Sequence, residues 1–315
     1  MILALLAALQ TPAAKPPPAS VTTLESTSAP GLPSELAKDH LPLASLPDDR
    51  LTVNVTVGGE GPFRFLVDTG SDRTAVSRQL AERLSLPAGR TVMMHSVTGA
   101  NRVRTATVSD LSVGDRLLQT VNAPLLDAAH VRADGILGTD VLRSASIRFD
   151  FRSGLLSIST QRRPERRAAE ADTIVVEGRR RAGRLIVTDA EADGQRLTVI
   201  LDTGSEVTIG NQALRNALAR RRVLLEDRPM ELASVTGAIL PATYMKLDRL
   251  DIGGLGLTGL GIAFADAHTF EVMGLEDRPA LLLGMNALLA FDSVTIDLAE
   301  RKLRFVMPKD GPRGL

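Results

Sequence analysis

The sequence contains the stretch Phe65-Leu66-Val67-Asp68-Thr69-Gly70-Ser71 and a near-copy, Val199-Ile200-Leu201-Asp202-Thr203-Gly204-Ser205. In both, an apolar run leads directly into an acid, a hydroxyl residue, a glycine and a second hydroxyl residue. A single motif of this kind is also consistent with a surface turn, because its residues are frequent in turns. Two copies predict a duplicated domain, provided that their surroundings repeat as well.

The surroundings repeat in the same order. The turn Ser96-Val97-Thr98-Gly99 is matched by Ser234-Val235-Thr236-Gly237, and Ile136-Leu137-Gly138 is matched by Leu282-Leu283-Gly284. Each half then ends in a strand-like pair. The offset between the halves grows from 134 to 138 to 146, so the second half contains insertions, the largest at residues 268–279. This repeat predicts two β-rich lobes with short helices, related by a pseudo-two-fold axis.

The paired motifs resemble the aspartic protease superfamily over about residues 50–307. The short lobes and simple turns are similar to its retropepsin-like branch, and the fused lobes resemble the two-lobed bacterial aspartyl proteases. The resemblance implies a mainly β protein with two acid-protease β-barrel lobes. It also implies an endopeptidase whose substrate is an extended polypeptide. Pepsin-like relatives carry a flap tyrosine, whereas Tyr244 lies beyond the second turn, which fits the retropepsin-like branch.

Asp68 and Asp202 are the predicted catalytic residues. Peptide hydrolysis without a metal or a covalent nucleophile needs an activated water and an acid for the carbonyl oxygen. Two adjacent carboxyl groups that share one proton supply both, because like charges in close contact do not readily ionise together. The aspartic protease dyad is the standard example of this effect. The two acids come from different halves, as a dyad on a two-fold axis requires.

Four glycines are predicted to support the active-site loops. Gly70 and Gly204 allow tight turns whose N–H groups point towards the acids. By resemblance, Gly138 and Gly284 belong to a segment that passes beside the catalytic loop, where a side chain would not fit. Their expected role is structural.

The hydroxyl residues of the two motifs receive their expected roles from the resemblance. It implies that Thr69 and Thr203 form hydrogen bonds between the lobes and brace the two loops. It also implies that Ser71 and Ser205 contact the outer carboxylate oxygens, which would favour the ionised acids and an acidic pH optimum.

The two repeated turns match the flaps of the family. A flap supplies main-chain hydrogen bonds to an extended peptide and excludes water from the reaction. The predicted flap and substrate-binding residues are Ser96, Val97, Thr98, Gly99, Ser234, Val235, Thr236 and Gly237.

Composition excludes several other classes of function. The formal net charge is zero, so the basic footprint of a nucleic-acid-binding protein is missing. There is no cysteine, and the four histidines are scattered, so the sequence predicts no metal site and no cofactor. The segment 254–259 spells G-x-G-x-x-G, but the apolar stretch after it has no helical period, which favours a hairpin over a nucleotide site.

The termini and linkers complete the predicted organisation. Residues 1–14 resemble a signal peptide, which predicts export, in a bacterium to the periplasm or cell envelope. Residues 15–47 indicate a flexible linker or a pro-segment. The lobes are predicted at residues 48–160 and 172–308, joined by a linker at 161–171. The apolar start is too short for a membrane-spanning helix.

Two alternatives stay open at this point. The fold could serve as a catalytically silent peptide-binding module, although both acids and both Thr-Gly pairs are present. The lobes could also pair with those of another chain, but the internal duplication favours a monomeric pseudo-dimer.

Overall fold

The structure, a computed structural model, describes residues 2–3, 8–10, 40–45, 50–114, 116–142, 145–159, 173–181, 184–221 and 225–308. The predicted inter-lobe linker at 161–171 and most of the predicted segment 15–47 lie outside the described residues. The domain boundaries and the predicted export signal therefore stay predictions.

The first half of the chain forms short N-terminal strands and then a β-rich lobe. The N-terminal strands are β1 (Ile2–Leu3), β2 (Ala8–Gln10), β3 (His40–Pro42) and β4 (Ala44–Ser45). The first lobe follows with β5 (Leu51–Val57), β6 (Glu60–Val67), β7 (Ala75–Ser77), α1 (Arg78–Arg83), β8 (Ala88–Ser96), β9 (Gly99–Val113), β10 (Arg116–Leu126), α2 (Ala128–Val131), β11 (Gly135–Leu137), α3 (Thr139–Leu142), β12 (Ser146–Asp150) and β13 (Leu155–Ser159).

The second lobe repeats this order of elements. It contains β14 (Thr173–Glu177), β15 (Arg179–Arg181), β16 (Arg184–Ala192), β17 (Gln195–Leu201), β18 (Thr208–Gly210), α4 (Gln212–Arg221), β19 (Leu225–Ala233), β20 (Ile239–Ile252), β21 (Leu255–Phe264), α5 (His268–Val272), β22 (Ala280–Leu283), α6 (Met285–Leu288), β23 (Ser293–Asp297) and β24 (Lys302–Val306). The segment 254–259 lies in the β20–β21 hairpin, as its sequence predicts.

Each lobe is a closed six-stranded barrel. In the first lobe β9, β10, β7, β11, β6 and β5 pair in that order, and β5 also pairs with β9. In the second lobe β16, β17, β22, β18, β21 and β20 pair in that order, and β16 also pairs with β20. The prediction of a mainly β, acid-protease-like fold with two barrel lobes and short helices is confirmed.

The barrels form because their strands alternate apolar and polar residues. In β5, Leu51, Val53, Val55 and Val57 are buried, whereas Asn54 is exposed. Helix α1 begins after Ser77, whose hydroxyl accepts a hydrogen bond from the Leu80 N–H at 3.0 Å and so caps the helix.

A six-stranded sheet joins the lobes and reveals the pseudo-two-fold axis. Its order is β14-β24-β23-β12-β13-β3. At its centre β12 and β23 pair antiparallel, with Ser146 opposite Asp297 and Asp150 opposite Ser293. These two strands occupy equivalent places in the two lobes, so the axis passes through the middle of their pairing.

The N-terminal strands add to the outer edge of each lobe's sheet. Strand β1 pairs in parallel with β8, with Leu3 opposite His95. Strand β2 pairs antiparallel with β19, with Ala8 opposite Ala233. Strands β8 and β19 each lead into one of the predicted flap turns, so one N-terminal segment adds a strand to both flaps.

Candidate active site

The two predicted catalytic acids lie directly after β6 and β17. The Asp68 N–H donates to the Leu137 carbonyl at 3.0 Å, and the Asp202 N–H donates to the Leu283 carbonyl at 3.1 Å. Both acids are fully buried, with 0 % of their surface exposed. Each barrel therefore delivers one carboxyl group from the end of a buried strand to the same position relative to its lobe.

The carboxyl groups are oriented by the glycines that follow them. The Gly70 N–H donates to Asp68 Oδ1 at 2.7 Å, and the Gly204 N–H donates to Asp202 Oδ1 at 3.0 Å. A Cβ atom at Gly204 would lie 2.6 Å from each carboxyl oxygen of Asp68. Only glycine at this position lets the first acid approach the loop of the second, so the two acids come together across the lobes.

The outer oxygens of the dyad are left without a donor. Asp68 Oδ2 and Asp202 Oδ2 accept no hydrogen bond from the described residues. Buried polar atoms nearly always have a partner, so an orphaned pair at one position points to a function.

The two threonines brace the loops reciprocally. The Thr69 N–H donates to Thr203 Oγ1 at 3.1 Å, and the Thr203 N–H donates to Thr69 Oγ1 at 3.2 Å. The hydroxyls in turn donate to the other lobe, from Thr203 to the Val67 carbonyl at 2.8 Å and from Thr69 to the Leu201 carbonyl at 3.4 Å. This network holds the loops at a fixed separation.

The two serine hydroxyls do not bond to the carboxyl groups, which corrects the sequence-based expectation. The Ser71 hydroxyl donates to the Arg73 carbonyl at 2.8 Å, and the Ser205 hydroxyl donates to the Val207 carbonyl at 2.7 Å. A serine hydroxyl readily bonds a backbone carbonyl two residues along the chain, and this local bond uses its single proton. The serine hydroxyls therefore shape the loop and donate nothing to the dyad. The group of Ser71 that lowers the pKa of Asp68 is its backbone N–H.

Burial raises the pKa of both acids. It raises the pKa of Asp68 to about 7, against the hydrogen bond from Gly70 and the positive charge of Arg184, which lower it. Burial also raises the pKa of Asp202 well above its ordinary value, and the nearby charge of Asp68 raises it further. The two groups titrate as a pair. The pair consequently retains a proton at neutral pH.

The predicted structural glycines lie against the backbone of the catalytic loops. A Cβ atom at Gly138 would lie 2.6 Å from the Arg73 carbonyl oxygen, and one at Gly284 would lie 2.9 Å from the Thr208 nitrogen. The Gly284 N–H donates to Thr208 Oγ1 at 3.2 Å. Both positions therefore require the absence of a side chain.

Sequence reasoning missed two polar pairs that tie each catalytic loop to the helix after the structural glycine. Thr74 donates from its N–H and its hydroxyl to Asp140 Oδ1, at 2.9 and 2.8 Å. Thr208 donates in the same way to Asn286 Oδ1, at 2.8 and 2.7 Å. The sequence could have predicted these pairs, because Thr74 and Thr208 occupy equivalent positions in the repeat, and so do Asp140 and Asn286.

Sequence reasoning also missed Arg184, the first residue of β16. Its side chain is buried and donates to the Gly70 carbonyl from Nε at 2.9 Å and from Nη2 at 2.6 Å. Nη2 lies 3.2 Å from Asp72 Oδ1. An arginine of the second lobe thus supports the catalytic loop of the first.

The predicted flap residues form two equivalent turns, after β8 and after β19. In each, a serine hydroxyl and a threonine hydroxyl share a hydrogen bond, Ser96 with Thr98 at 3.0 Å and Ser234 with Thr236 at 2.9 Å. Each turn also contains its glycine with a positive φ, 134° at Gly99 and 83° at Gly237, a conformation that glycine adopts without strain.

The flap valines were predicted to contact substrate, but their side chains lie in the opposite lobe. Val97 packs into a cluster of second-lobe residues that includes Ile186 and Ile200. Val235 packs into a first-lobe cluster that includes Leu66. The hydrophobic effect explains this placement, because each valine is almost fully buried there. The flaps are therefore closed across the lobes.

The described residues contain neither a cluster of metal ligands nor a membrane-spanning helix. No group of three or more His, Asp or Glu side chains in that part of the chain is placed to hold a metal ion. No helix in the same ranges is long and apolar enough to cross a membrane.

The comparison with known families agrees with this geometry. The family model described as "Aspartyl protease" matches residues 53–141 and 188–287, one segment in each lobe. No curated protein matches the sequence. The two matched segments contain both Asp-Thr-Gly motifs, both flap turns and both structural glycines, and together they cover more than half of the 315 residues. The chain therefore belongs to the aspartyl protease family.

Proposed function

We propose that this chain is an aspartic endopeptidase in which Asp68 and Asp202 activate a water molecule between them. The observation that carries the proposal is the pair of buried carboxyl groups, one from each lobe, whose outer oxygens accept no hydrogen bond from the described residues. The raised pKa values support it, because they keep one proton on the pair at neutral pH.

The reaction uses that shared proton. The ionised carboxylate takes a proton from water as the water oxygen attacks the carbonyl carbon of the peptide bond. The protonated carboxyl group gives its proton to the carbonyl oxygen, which yields a neutral tetrahedral diol. The newly ionised carboxylate then takes a proton from one hydroxyl of the diol, while the other carboxyl group gives the proton it took from water to the amide nitrogen. The C–N bond breaks, a carboxylic acid and an amine leave, and the dyad regains its original protonation state.

An extended polypeptide is the proposed substrate. The N-terminal segment pairs in parallel with β8 of one flap and antiparallel with β19 of the other. A single chain that crosses a two-fold axis must run in opposite senses relative to two symmetric strands. The two flap edges thus pair with extended segments in opposite senses, as an extended peptide that crossed the axis would require.

Peptide-library cleavage between pH 3 and 8 tests the proposal. We expect wild-type protein to cleave, and Asp68→Asn and Asp202→Asn each to abolish cleavage. Asp248→Asn is the matched control, because it makes the same substitution at an exposed site on β20. Each protein is assayed with and without residues 1–47, since the N-terminal strands occupy the flap edges.

Three results would decide between the alternatives. Loss of activity in both dyad variants, with the control unaffected, would support the two-lobed mechanism. Activity that survives either dyad substitution would overturn it. Binding of library peptides without cleavage at any pH, in both the full-length and truncated proteins, would instead support the silent peptide-binding module.

A further inference from the structure

Two histidines that are isolated in the sequence meet between the lobes. His95 lies in β8, next to the first flap turn, and His268 begins α5 in the second lobe. His95 Nδ1 lies 2.8 Å from His268 Nε2. The ring centroids lie 5.1 Å apart and the ring planes are inclined by only 10°, so the two imidazoles lie edge to edge in nearly the same plane. This contact joins the first flap to α5 of the second lobe.

His268 also contacts Glu271 through its side chain and the first flap turn through its backbone. Its Nδ1 lies 2.8 Å from Glu271 Oε2, one helical turn further along α5. Its backbone N–H donates to the Val97 carbonyl in the flap turn at 2.9 Å. The first flap is therefore held to α5 by a backbone hydrogen bond at the turn and by a chain of side chains, His95, His268 and Glu271.

The second flap lacks this arrangement. At the constant offset of 138 residues, His268 corresponds to His130 of α2, and His95 corresponds to Ala233 of β19. The His130 ring lies against the second flap turn, where a Cβ atom at Gly237 would be 2.6 Å from its Nε2. Because alanine replaces the flap histidine, the second flap has no imidazole to bond to the opposite lobe at this position.

We propose that His95, His268 and Glu271 form a latch that holds the first flap closed over the cleft and releases it when the histidine pair becomes doubly protonated. Because the latch acts on a flap of a protease, this inference rests on the proposed protease function. His95 and His268 are positioning residues in it, since they act on the flap and not on the reacting atoms.

The proton count explains the release. A hydrogen bond between two imidazole nitrogens needs one proton, which either ring can supply. In the arrangement seen here, the Nε2–H of His268 can donate to Nδ1 of a neutral His95, while Nδ1 of His268 faces the Glu271 carboxylate. A second proton places two N–H groups and two positive charges face to face, and the bond is lost. The latch therefore depends on a neutral His95.

The groups around His95 disfavour its protonation. Burial lowers the pKa of His95, and the nearby His268 lowers it further, whereas Glu271 raises it. On β9, the residue opposite His95 is Ala100, and Arg102 is the next residue on the same face. Residues Ile2 and Leu3 of β1 carry no ionisable side chain.

Closure of the first flap is favoured at higher pH. The closed flap binds fewer protons than the open flap, because closure lowers the pKa of His95. Closure is therefore fully present above the ordinary histidine pKa, about 6.5, and is lost as the pH falls below it.

Hydrogen exchange measured by mass spectrometry tests the latch without any assay of activity. The readout is the exchange rate of amides in residues 92–101 divided by that of residues 230–239, which serve as an internal control, after correction for the intrinsic effect of pH. We expect this ratio to rise about fivefold between pH 7.5 and 5, as the loss of one or two hydrogen bonds implies. His95→Ala should show the raised ratio at both pH values.

Two further variants separate the latch from general destabilisation. His95→Asn keeps a polar atom near the position of Nδ1 but does not titrate, so the ratio should stay low at both pH values. His130→Gln changes the equivalent histidine of the other lobe, which lies against the reference segment at Gly237. This variant is therefore compared only with itself at the two pH values, and its ratio should rise as in wild type. A wild-type ratio that does not change with pH, or a His95→Ala ratio equal to that of wild type at pH 7.5, would overturn the latch. Normal exchange behaviour in a protein that cleaves no peptide would overturn the proposed function alone.

Discussion

Arg50 and Arg184 occupy equivalent positions in the two lobes, 134 residues apart, and both are buried. Their side chains donate hydrogen bonds to different acceptors. Arg50 Nη2 donates to the Val131 carbonyl of its own lobe at 3.2 Å. Arg184 crosses to the first lobe and donates twice to the carbonyl of Gly70, the glycine that orients Asp68. The duplicated chain has thus placed a cation beside the dyad from the second lobe.

Replacing Arg184 should affect both stability and catalysis. Arg184→Met leaves Asp72 and the Gly70 carbonyl without this donor, and removal of one partner from a buried ion pair costs about 3–5 kcal/mol. The charge of Arg184 lowers the pKa of both catalytic acids, so its loss should also shift the basic limb of the pH–rate profile to higher pH. Urea unfolding and a pH profile measure the two effects.

The control for this variant is Arg249→Met, which breaks an exposed pair with Asp251 and should change stability little. Arg184→Lys should not restore the wild-type protein, because an ammonium group cannot reproduce the paired donation of Nε and Nη2. A lysine variant as stable as wild type would show that charge alone supports the loop.

The hydrogen bonds between the Thr69 and Thr203 loops should contribute more to the free energy of unfolding than a single surface hydrogen bond does. Thr203→Val keeps the shape of the side chain but removes the hydroxyl that accepts from the Thr69 N–H and donates to the Val67 carbonyl. We expect a loss of about 1–3 kcal/mol, because it leaves buried backbone groups unpaired. Thr203→Ser retains the hydroxyl and should lose much less. Equal losses in the two variants would assign the effect to the methyl group.

The sequence predicted the parts of the site that the duplication repeats. Asp68, Thr69 and Gly70 recur as Asp202, Thr203 and Gly204, and the structure places each pair at equivalent positions. The serine hydroxyls were assigned to the carboxyl groups, but short bonds to carbonyls two residues away compete for their single protons. Such competition is decided by loop geometry of a few tenths of an ångström, which residue types do not encode.

Contacts that occur once in the chain were not predictable. His95 and His268 are 173 residues apart, and the partner of His95 in the repeat is an alanine. No period or motif links the two, since the closure of both barrels and the position of the insertion bring them together. The burial of Val97 in the opposite lobe has the same origin, because it depends on the relative placement of two separate cores.

The structural glycines should not tolerate even a methyl group. Gly284→Ala places a Cβ atom against the backbone of Val207 and Thr208, which cannot move without shifting the loop that carries Asp202. Overpacking of this kind costs about 1–3 kcal/mol or more. Gly256→Ala is the control, because the methyl group there meets the flexible end of the Arg249 side chain. Thermal unfolding measures both, and a Gly284→Ala protein as stable as this control would contradict the close approach.

The dyad should destabilise the folded protein as the pH rises. Folding raises the pKa of both acids, to about 7 for Asp68, from an ordinary value of 3.8. The folded state therefore binds more protons than the unfolded state above about pH 4, and stability is lost as the pH rises towards and through 7. Asp68→Asn removes a buried charge and relieves its repulsion of Asp202. This variant should unfold at a higher temperature than wild type at pH 8, whereas the two should agree near pH 4.

The same comparison with Asp248→Asn separates the dyad from a general effect of net charge, because it makes the same substitution at an exposed residue. Asp202→Asn should behave like Asp68→Asn, since the lobes are equivalent and each acid raises the cost of ionising the other. If Asp68→Asn were less stable than wild type at pH 8, the ionised acid would have to stabilise the fold. That result would contradict the raised pKa of Asp68, and the shared proton of the proposed mechanism would fail with it.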